Sequence, residues 1–337
     1  MKKNQPFVSL VVINYNGLVH LKEYFDSVYA QTRMPDEVIM MDNASADESV
    51  KFVTKHYPKV QIIKNPFNAG TALGSNIAFD YCKGDLVIFQ SNDIKLDKNC
   101  VAGLVEAMSD QSVGIATSIL LQYFRYKKDK QMIIDNAGGV SDVYGLGMQK
   151  YPEGRYQDLK SQEEVFFSYG GSFIIRRELF ERTNGYDQRY FTLNDDIDLS
   201  WRVRLLGKKI IYVKKSFIYH KVSATLGILF VRSIKRYWSE RNVMRTLIKN
   251  HTLRDLLIYF PQYLLLLLAE MGYFLYRKRP DLFLADLKAI LWNLLYLPET
   301  LWMRLKIQRG VVNRNLSQIM SKKSYKLMLF SSMKHTI

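Results

Sequence analysis

Asp93 and His220 are residues whose types could support metal chemistry in this 337-residue chain. Asp93 follows an apolar run, and a carboxylate at such a position can hold a hard divalent cation against a diphosphate. The same carboxylate could instead do no more than accept hydrogen bonds from turn amides. His220 ends another apolar run and could be either a metal ligand or a structural histidine. Each residue therefore has both a functional and an ordinary structural interpretation.

Asp195, Asp196 and Asp198 form an acidic cluster at the start of a predicted helix. Acidic residues in a first helical turn cap the helix and offset its dipole, which requires no catalytic role. Three carboxylates so close together exceed that need, and crowding can raise the pKa of one of them toward the range of a general base. From the residues alone, a cap and a base are equally good interpretations.

The elements that must position these residues alternate between strand and helix. Apolar runs at 8–13, 37–41, 60–63 and 85–89 predict strands, and helical periodicity separates them. This order predicts an α/β fold with a doubly wound, mostly parallel sheet, whose ligands bind at the carboxyl ends of the strands. Asn, Asp or Ser follows each of the four runs, so these polar side chains should meet at one crevice.

The rest of this first part is less regular. Residues 111–165 are mixed and polar, which predicts extra strands and loops. A glycine pair at 170–171 precedes another apolar run, a helix is predicted over 196–206, and a strand over 210–213. GxGxxG does not follow the first strand and GxxxxGK[ST] occurs nowhere, so neither a dinucleotide fingerprint nor a P-loop is supported. Cys82 and Cys100 lack metal-type spacing and are interpreted as free thiols in a reducing compartment.

Seven ordered sequence blocks between residues 6 and 225 resemble the family 2 glycosyltransferases with the GT-A fold, particularly rhamnosyltransferase-like members. The blocks are VSLVVINYNG (around 9–17), EVIMMDNASADES (37–49), IKNPFNAGTALGSNIAF (63–79), GDLVIFQSND (84–93), GGSFIIRRELFERTNGYDQRYF (170–191), NDDIDLSWRVRLLG (194–207) and HKVSATLG (220–227). They cover about two thirds of the chain. The resemblance implies transfer of a sugar from a nucleotide diphosphate donor.

The resemblance also implies which residues bind the donor. Tyr15 would stack near the nucleotide base, Asp42 would hydrogen-bond the base edge, and Asn68 would flank the nucleotide sugar. Asn92 and Gly171 would line the same donor site, where glycine removes steric bulk.

The metal ligands and the base follow from the same resemblance. Asp93 is the last residue of a DxD-like motif and would hold Mg²⁺ or Mn²⁺ on the diphosphate, together with His220. This chain departs from the pattern because Ser91-Asn92-Asp93 supplies one carboxylate where the family has two. Asp196 matches the general base of the family's acidic ED motif, and Asp195 stands where the family has Glu. The residues expected to support the site or contact the acceptor are Asp195, Asp198, Trp201 and Arg202.

The formal net charge of +16 separates the chain into two parts. Residues 1–220 carry a net charge of +2, whereas residues 221–337 carry +14. With 48% apolar and 24% charged residues, a disordered, collagenous or disulfide-framework protein is excluded. The basic surplus favours a polyanionic partner, either nucleic acid or an anionic membrane. Residues 221–337 contain leucine- and tyrosine-rich runs and no nucleic-acid-binding motif. This composition favours the membrane as the partner.

Two apolar stretches lie in the basic part, at 256–276 and 282–303. The first is long enough to span a membrane, but Pro261 and Glu270 weaken that interpretation. Amphipathic helices with basic edges and aromatic residues favour an in-plane or re-entrant position in the membrane interface. A true span or hairpin and a soluble helical bundle are the remaining alternatives.

The resemblance and the charge pattern lead to one hypothesis. Residues 1–225 would form a glycosyltransferase domain, and residues 226–337 a basic, membrane-associated helical region. The enzyme would transfer a sugar with inversion, rhamnose from dTDP-rhamnose as the first expectation, to a lipid-linked glycan in bacterial surface polysaccharide synthesis. It would work at the cytoplasmic face of the plasma membrane, without a nucleic-acid partner. The alternative is a non-catalytic sugar-nucleotide or glycan-binding scaffold of the same membrane complex, which has no need of a general base.

Overall fold

The computed structural model describes residues 5–221 and 232–328, and strands and helices alternate over the first of these ranges. The strands are β1 (Val8–Asn14), β2 (Glu37–Asp42), β3 (Gln61–Lys64), β4 (Leu86–Ser91), β5 (Ile94–Leu96), β6 (Val113–Gln122), β7 (Ile134–Asn136), β8 (Gly139–Ser141), β9 (Gly147–Gln149), β10 (Gln162–Glu164), β11 (Ser172–Arg176) and β12 (Lys209–His220). The helices are α1 (Leu18–Tyr29), α2 (Ser49–His56), α3 (Gly70–Phe79), α4 (Cys100–Ala107), α5 (Tyr123–Asp129), α6 (Arg177–Arg182), α7 (Asp195–Leu205), α8 (Arg232–Asn250), α9 (Leu253–Tyr276), α10 (Pro280–Leu295) and α11 (Leu297–Arg309).

One large sheet organises the first part of the chain. Its main path runs in the order β10-β12-β6-β11-β4-β1-β2-β3, with β5 paired to β12 and β7 paired to β6. Strands β1 to β4 pair in parallel, as does β12 with β6, whereas β11 runs antiparallel between β4 and β6. The predicted α/β fold with a doubly wound sheet is confirmed, and the sheet is mixed on the side that the 111–165 segment helps to build.

Both faces of this sheet are covered by helices. Val11 of β1 packs in a core with residues of α3, α6 and α7, whereas its neighbours Leu10 and Val12 pack on the opposite face with residues of α1, α2 and α4. A strand that is buried on both faces has no polar face to alternate with the apolar one. This burial explains why the run at 8–13 is apolar apart from Ser9, which is itself buried.

Two local predictions need correction. Ser45 and Glu48 have the sequence spacing that predicts a capping box. The box does not form, because α2 begins at Ser49 and the Ser45 hydroxyl accepts a hydrogen bond from the Asn16 amide instead. The predicted strand 210–213 is longer and continues through His220 as β12, with an irregularity between residues 213 and 217.

A third core joins the helical part of the chain to the sheet domain. Trp201 of α7 packs there with Leu247 of α8 and Leu267 of α9. Within the described residues, α9 is the one helix long and apolar enough to cross a membrane by length and composition. The stretch predicted at 282–303 forms two helices, α10 and α11. The predicted boundary between residues 225 and 226 lies outside the described residues, as does most of the HKVSATLG block.

Candidate active site

The carboxyl ends of β1, β2 and β4 are joined by the side chain of Asn14. Its Nδ2 donates to Oδ1 of Asp42 (3.0 Å), and its Oδ1 accepts from Nδ2 of Asn92 (2.7 Å). Gly17 allows this approach, because a Cβ at that position would lie 2.0 Å from Nδ2 of Asn92. The polar strand ends that the sequence predicted at one crevice therefore do meet there.

Asp42 is the buried member of the proposed base-binding pair. Its Oδ2 accepts from the Ser45 amide (3.1 Å), so both carboxylate oxygens already hold the loop after β2 in place. Tyr15, directly after β1, is half-buried at the same edge of the sheet. Each carboxylate oxygen retains a second lone pair. Contact of Asp42 and Tyr15 with a nucleotide base stays a prediction.

The loop after β3 joins the donor side of the crevice to the loop before the acidic cluster. Oδ1 of Asn68 accepts from the Gly70 amide (3.0 Å) at the start of α3. Gly70 has a φ of +70°, and a Cβ there would lie 2.1 Å from the Phe191 carbonyl oxygen, so glycine is required. That carbonyl accepts from the Thr71 amide (2.9 Å).

Asp93 and His220 come together as predicted, and Asp135 joins them. Nε2 of His220 lies 3.7 Å from Oδ2 of Asp93, and Nδ1 of the same ring lies 2.8 Å from Oδ2 of Asp135. Burial opposes ionisation of both Asp93 and His220. Their mutual attraction nevertheless lowers the pKa of Asp93 to about 2, and the hydrogen bond that His220 donates to Asp135 helps raise the pKa of His220 to about 9.

The chemistry of Asp93 fits a divalent cation. Its Oδ1 is buried and has no hydrogen-bond partner among the described residues, and a buried carboxylate oxygen needs a partner. The described residues contain no preformed group of three or more metal-ligating side chains. A cation would therefore rest on Asp93, on Nε2 of His220 in place of a proton, and on oxygens of the donor diphosphate.

Two carboxylates of the acidic cluster are partly accessible at the crevice, and the third is buried in the interior. Asp195 and Asp196 remain partly accessible to solvent, and Oδ2 of Asp195 accepts from the Thr71 hydroxyl (2.8 Å). Burial, followed by the nearby charge of Asp195, raises the pKa of Asp196 to about 8. Burial also raises the pKa of Asp195. Asp196 thus has the proton affinity that a general base needs near neutral pH.

The glycine pair lies between the strand end that leads to Asp93 and the acidic residue Asp196. The Gly171 carbonyl accepts from the Ser91 amide (3.2 Å) two residues before Asp93, and the Gly170 backbone is near enough to Asp196 to oppose the rise that burial causes in its pKa. A Cβ on Gly170 would meet no atom within 4 Å, so this residue borders open space. A ligand can therefore lie between the DxD-like motif and Asp196.

The remaining predicted site residues of α7 lie inside the protein. Asp198 is fully buried, where it accepts from Nε and Nη2 of Arg202 (3.0 and 2.7 Å) and pairs with Lys249. The Trp201 ring packs edge-on against Phe166. These residues support the helix that carries Asp196 and do not line the crevice.

Sequence reasoning missed two residues that face the site. Asp135 lies in the mixed segment, 85 residues before its partner His220, and nothing local marked it. Burial and then the charges of Asp196 and Asp135 raise the pKa of Tyr169 to about 12, so this half-buried ring is near enough to both carboxylates to feel their charge. The position of Tyr169 directly before the glycine pair was the one signal available.

Residues 9–183, just over half of the chain, match the family described as Glycosyl transferase family 2. The chain belongs to this family. It is therefore a glycosyltransferase.

Two curated relatives of this glycosyltransferase are rhamnosyltransferases by name. N-acetylglucosaminyl-diphospho-decaprenol L-rhamnosyltransferase of Mycobacterium tuberculosis is 26% identical over 236 residues, which are 65% of this chain and 77% of the relative. Rhamnosyltransferase WbbL of Escherichia coli K12 is 22% identical over 260 residues, which are 74% of this chain and 95% of the relative.

The fold of this glycosyltransferase is shared with solved sugar-transfer enzymes. The crystal structure of GalNAc-T7 with UDP, GalNAc and Mn²⁺ matches with a TM-score of 0.58 and 19% sequence identity, over 74% of this chain. The match covers 48% of GalNAc-T7, so this chain spans about half of that protein. At this identity the likeness speaks for the fold alone, and the predicted GT-A-type α/β fold is confirmed.

Proposed function

We propose that this glycosyltransferase transfers rhamnose from a nucleotide diphosphate donor, dTDP-rhamnose first, to a lipid-linked glycan during bacterial surface polysaccharide synthesis. The names of the relatives from Mycobacterium tuberculosis and Escherichia coli K12 support rhamnose as the sugar. The first of these names also supports a polyprenyl-diphosphate-linked acceptor. The similarity to these relatives extends over about two thirds of the chain or more.

The link between Ser91 and Asp196 through the glycine pair carries the catalytic part of the proposal. The Gly171 carbonyl accepts from the Ser91 amide at the strand end that leads to Asp93, and the backbone of Gly170, next to it, is near enough to Asp196 to oppose the rise that burial causes in its pKa. One short, unencumbered backbone segment thus separates a diphosphate-binding carboxylate from a carboxylate with a raised pKa. This is the arrangement that a sugar between a leaving group and an attacking hydroxyl requires.

In the proposed reaction, the carboxylate of Asp196 accepts the proton of the acceptor hydroxyl as its oxygen attacks the anomeric carbon. A single displacement breaks the bond to the donor diphosphate and inverts the anomeric centre. A cation held by Asp93 and His220 would neutralise the negative charge of the leaving diphosphate. The Thr71 hydroxyl, which donates to Asp195 at 2.8 Å, ties the donor-side helix to the acidic cluster.

The membrane-associated part of the proposal concerns the outer face of the last three helices. Helix α9 buries Glu270 toward Arg236 (2.6 Å) and Lys326 (2.7 Å), so the charged residue in the middle of its apolar stretch faces the protein. Large apolar side chains are exposed on the opposite face and on the two following helices: Ile258, Leu265, Leu268, Leu275, Leu284, Leu291, Leu294, Leu295, Leu301, Trp302 and Leu305. We call this set the leucine face.

The leucine face supports in-plane docking on a bilayer. A helix that is buried on one side and apolar on the other lies along an interface, and nearby arginines and lysines attract anionic lipids. Arg254 and the run at 277–279 supply such charges at the two ends of α9. In this proposal, residues 226–337 bring the transferase domain, residues 1–225, to a lipid-borne acceptor at the cytoplasmic membrane face.

The deciding experiment offers purified full-length protein dTDP-rhamnose, UDP-N-acetylglucosamine and GDP-mannose separately, with Mn²⁺ and a polyprenyl-diphosphate-linked N-acetylglucosamine acceptor. We expect transfer from dTDP-rhamnose, detected by mass spectrometry, and an inverted anomeric centre by NMR. Transfer from another donor alone would overturn rhamnose as the sugar. Donor binding without turnover across a broad acceptor panel would overturn the catalytic proposal.

A further inference from the structure

The turn before the acidic cluster has an unusual backbone conformation. Leu193 and Asn194 are consecutive residues with φ of +69° and +63°, in the left-handed region that residues with a Cβ rarely adopt. Such a conformation persists only where the surrounding structure holds it. Asp195 and Asp196 follow directly, so whatever holds this turn also sets the direction in which both carboxylates enter the crevice.

The holding group is Asn242, which lies on α8 about fifty residues away. Its Nδ2 donates to the carbonyl oxygens of Thr192 (3.0 Å) and Leu193 (2.7 Å), and its Oδ1 accepts from Nε of Arg241 (2.9 Å). Asn242 is fully buried. Every polar atom of this side chain is therefore occupied, and two of its three hydrogen bonds fix the turn.

Thr246, one helical turn further along α8, adds a second attachment. Its hydroxyl oxygen accepts from Nδ2 of Asn194 (2.9 Å) and lies 2.8 Å from the Tyr190 hydroxyl. The Tyr190 hydroxyl also donates to the Asn242 carbonyl (3.0 Å). The turn is thus bound to one face of α8 at Thr192, Leu193 and Asn194.

We propose that Asn242 is a positioning residue for sugar transfer: it holds the 192–194 turn in the conformation that aims Asp196 at the acceptor hydroxyl. The inference rests on Asp196 being the general base, as proposed above. It makes α8, at the start of the basic helical part, a component of the catalytic site. Displacing a catalytic group by about 1 Å costs up to about 100-fold in rate.

The test compares Asn242→Ala with Asn293→Ala. Asn293 of α10 is also buried and also donates to carbonyl oxygens, of Arg241 (3.0 Å) and Ala289 (2.9 Å), but it does not touch the turn. In Asn242→Ala we expect kcat to fall about 10- to 100-fold with donor KM nearly unchanged. In Asn293→Ala we expect a lowered melting temperature with kcat nearly unchanged.

Equal kcat in Asn242→Ala and the wild type, or equal loss of kcat in both alanine variants, would overturn the inference. If Asn242→Ala does not fold, Thr246→Val replaces it, since valine keeps the shape and loses the bond to Asn194. A fall in kcat at constant donor KM in Thr246→Val supports the inference, and unchanged kcat overturns it. Asp196→Asn tests the general base separately from Asn242, because full activity in that variant would show that Asp196 is not the base.

Discussion

Nζ of Lys249, on α8, lies 2.9 Å from Oδ1 of Asp198, on the helix that carries the acidic cluster. Both side chains are fully buried, and Lys249 also pairs with the buried carboxylate of Asp187. Part of the positive charge of the basic region thus compensates acidic residues inside the protein. The same holds for Arg245, which pairs with Asp187, and for Arg236, which pairs with Glu270.

Replacing Lys249 with methionine should destabilise the fold strongly. The change leaves Asp187 and Asp198 with less compensating charge in a buried environment, although Arg245 and Arg202 remain. Removing one partner of a buried ion pair costs about 3–5 kcal/mol, and we expect the lower end, about 3 kcal/mol, by urea denaturation. Lys22→Met, which breaks an exposed pair with Asp26, should change stability little. Similar losses in both variants would contradict the buried-network interpretation.

Asp196→Asn should lower the transfer rate by at least about 100-fold while donor binding survives, because asparagine cannot accept the acceptor proton. Product formation and calorimetric titration with the nucleotide sugar measure the two effects separately. Asp198→Asn is the comparison on the same helix, and there we expect a lowered melting temperature as the main effect. Loss of donor binding in Asp196→Asn would argue for a donor-binding role of this carboxylate.

Activity and stability should respond to pH in opposite directions. Burial and the charge of Asp195 raise the pKa of Asp196 from 3.8 to about 8, so the ionised base forms and kcat/KM rises as pH increases through about 8. The folded state holds this proton more tightly than the unfolded state. The stabilisation is therefore complete below about pH 4 and is lost as pH rises to about 8.

The contribution of Asp196 to this pH dependence can be isolated by comparing melting curves of the wild type and Asp196→Asn between pH 5 and pH 9, roughly the range of the shift. The stability advantage of the variant should grow with pH, because it carries no buried charge. A constant difference across the range would contradict a raised pKa at Asp196.

Asp135→Ala should weaken Mn²⁺ binding about 10- to 100-fold, because a carboxylate behind a ligating histidine fixes the ring and its tautomer. Nδ1 of His220 lies 2.8 Å from Asp135, which leaves Nε2 toward Asp93. Electron paramagnetic resonance titration of Mn²⁺ with dTDP present measures the affinity without turnover. Asp129→Ala, at an exposed position of α5, should bind Mn²⁺ like the wild type. An unchanged Mn²⁺ affinity in Asp135→Ala would show that Asp135 has a structural role only.

Charged substitutions on the leucine face should release the protein from membranes. Leu265 and Leu268 are well exposed, and replacing both with Glu removes apolar area and adds repulsion from anionic lipid, which should lower binding at least about tenfold. Flotation with phosphatidylglycerol vesicles measures the bound fraction. Val19→Glu, an apolar-to-acid change at a still more exposed position on α1, is the control. Unchanged flotation together with a dimer-to-monomer shift would assign the face to a second copy of the chain.

The sequence by itself determined the polar ends of the first strands and the crevice they form. Apolar runs long enough for buried strands, each followed by Asn, Asp or Ser, place those side chains at one edge of a parallel sheet whatever the details of packing. Asn14, Asp42 and Asn92 meet there for this reason. The acidic cluster was likewise visible, because its three carboxylates lie within one helical turn.

Only the tertiary structure decided which partners these residues have. Asp135 reaches His220 across 85 residues of chain, and Asn242 reaches the turn before the acidic cluster across about fifty. Local periodicity carries no record of such pairs, since they depend on how strands and helices pack. The same reason explains Lys249 in the basic region: its charge suggested a surface, and burial beside Asp198 made it part of the interior.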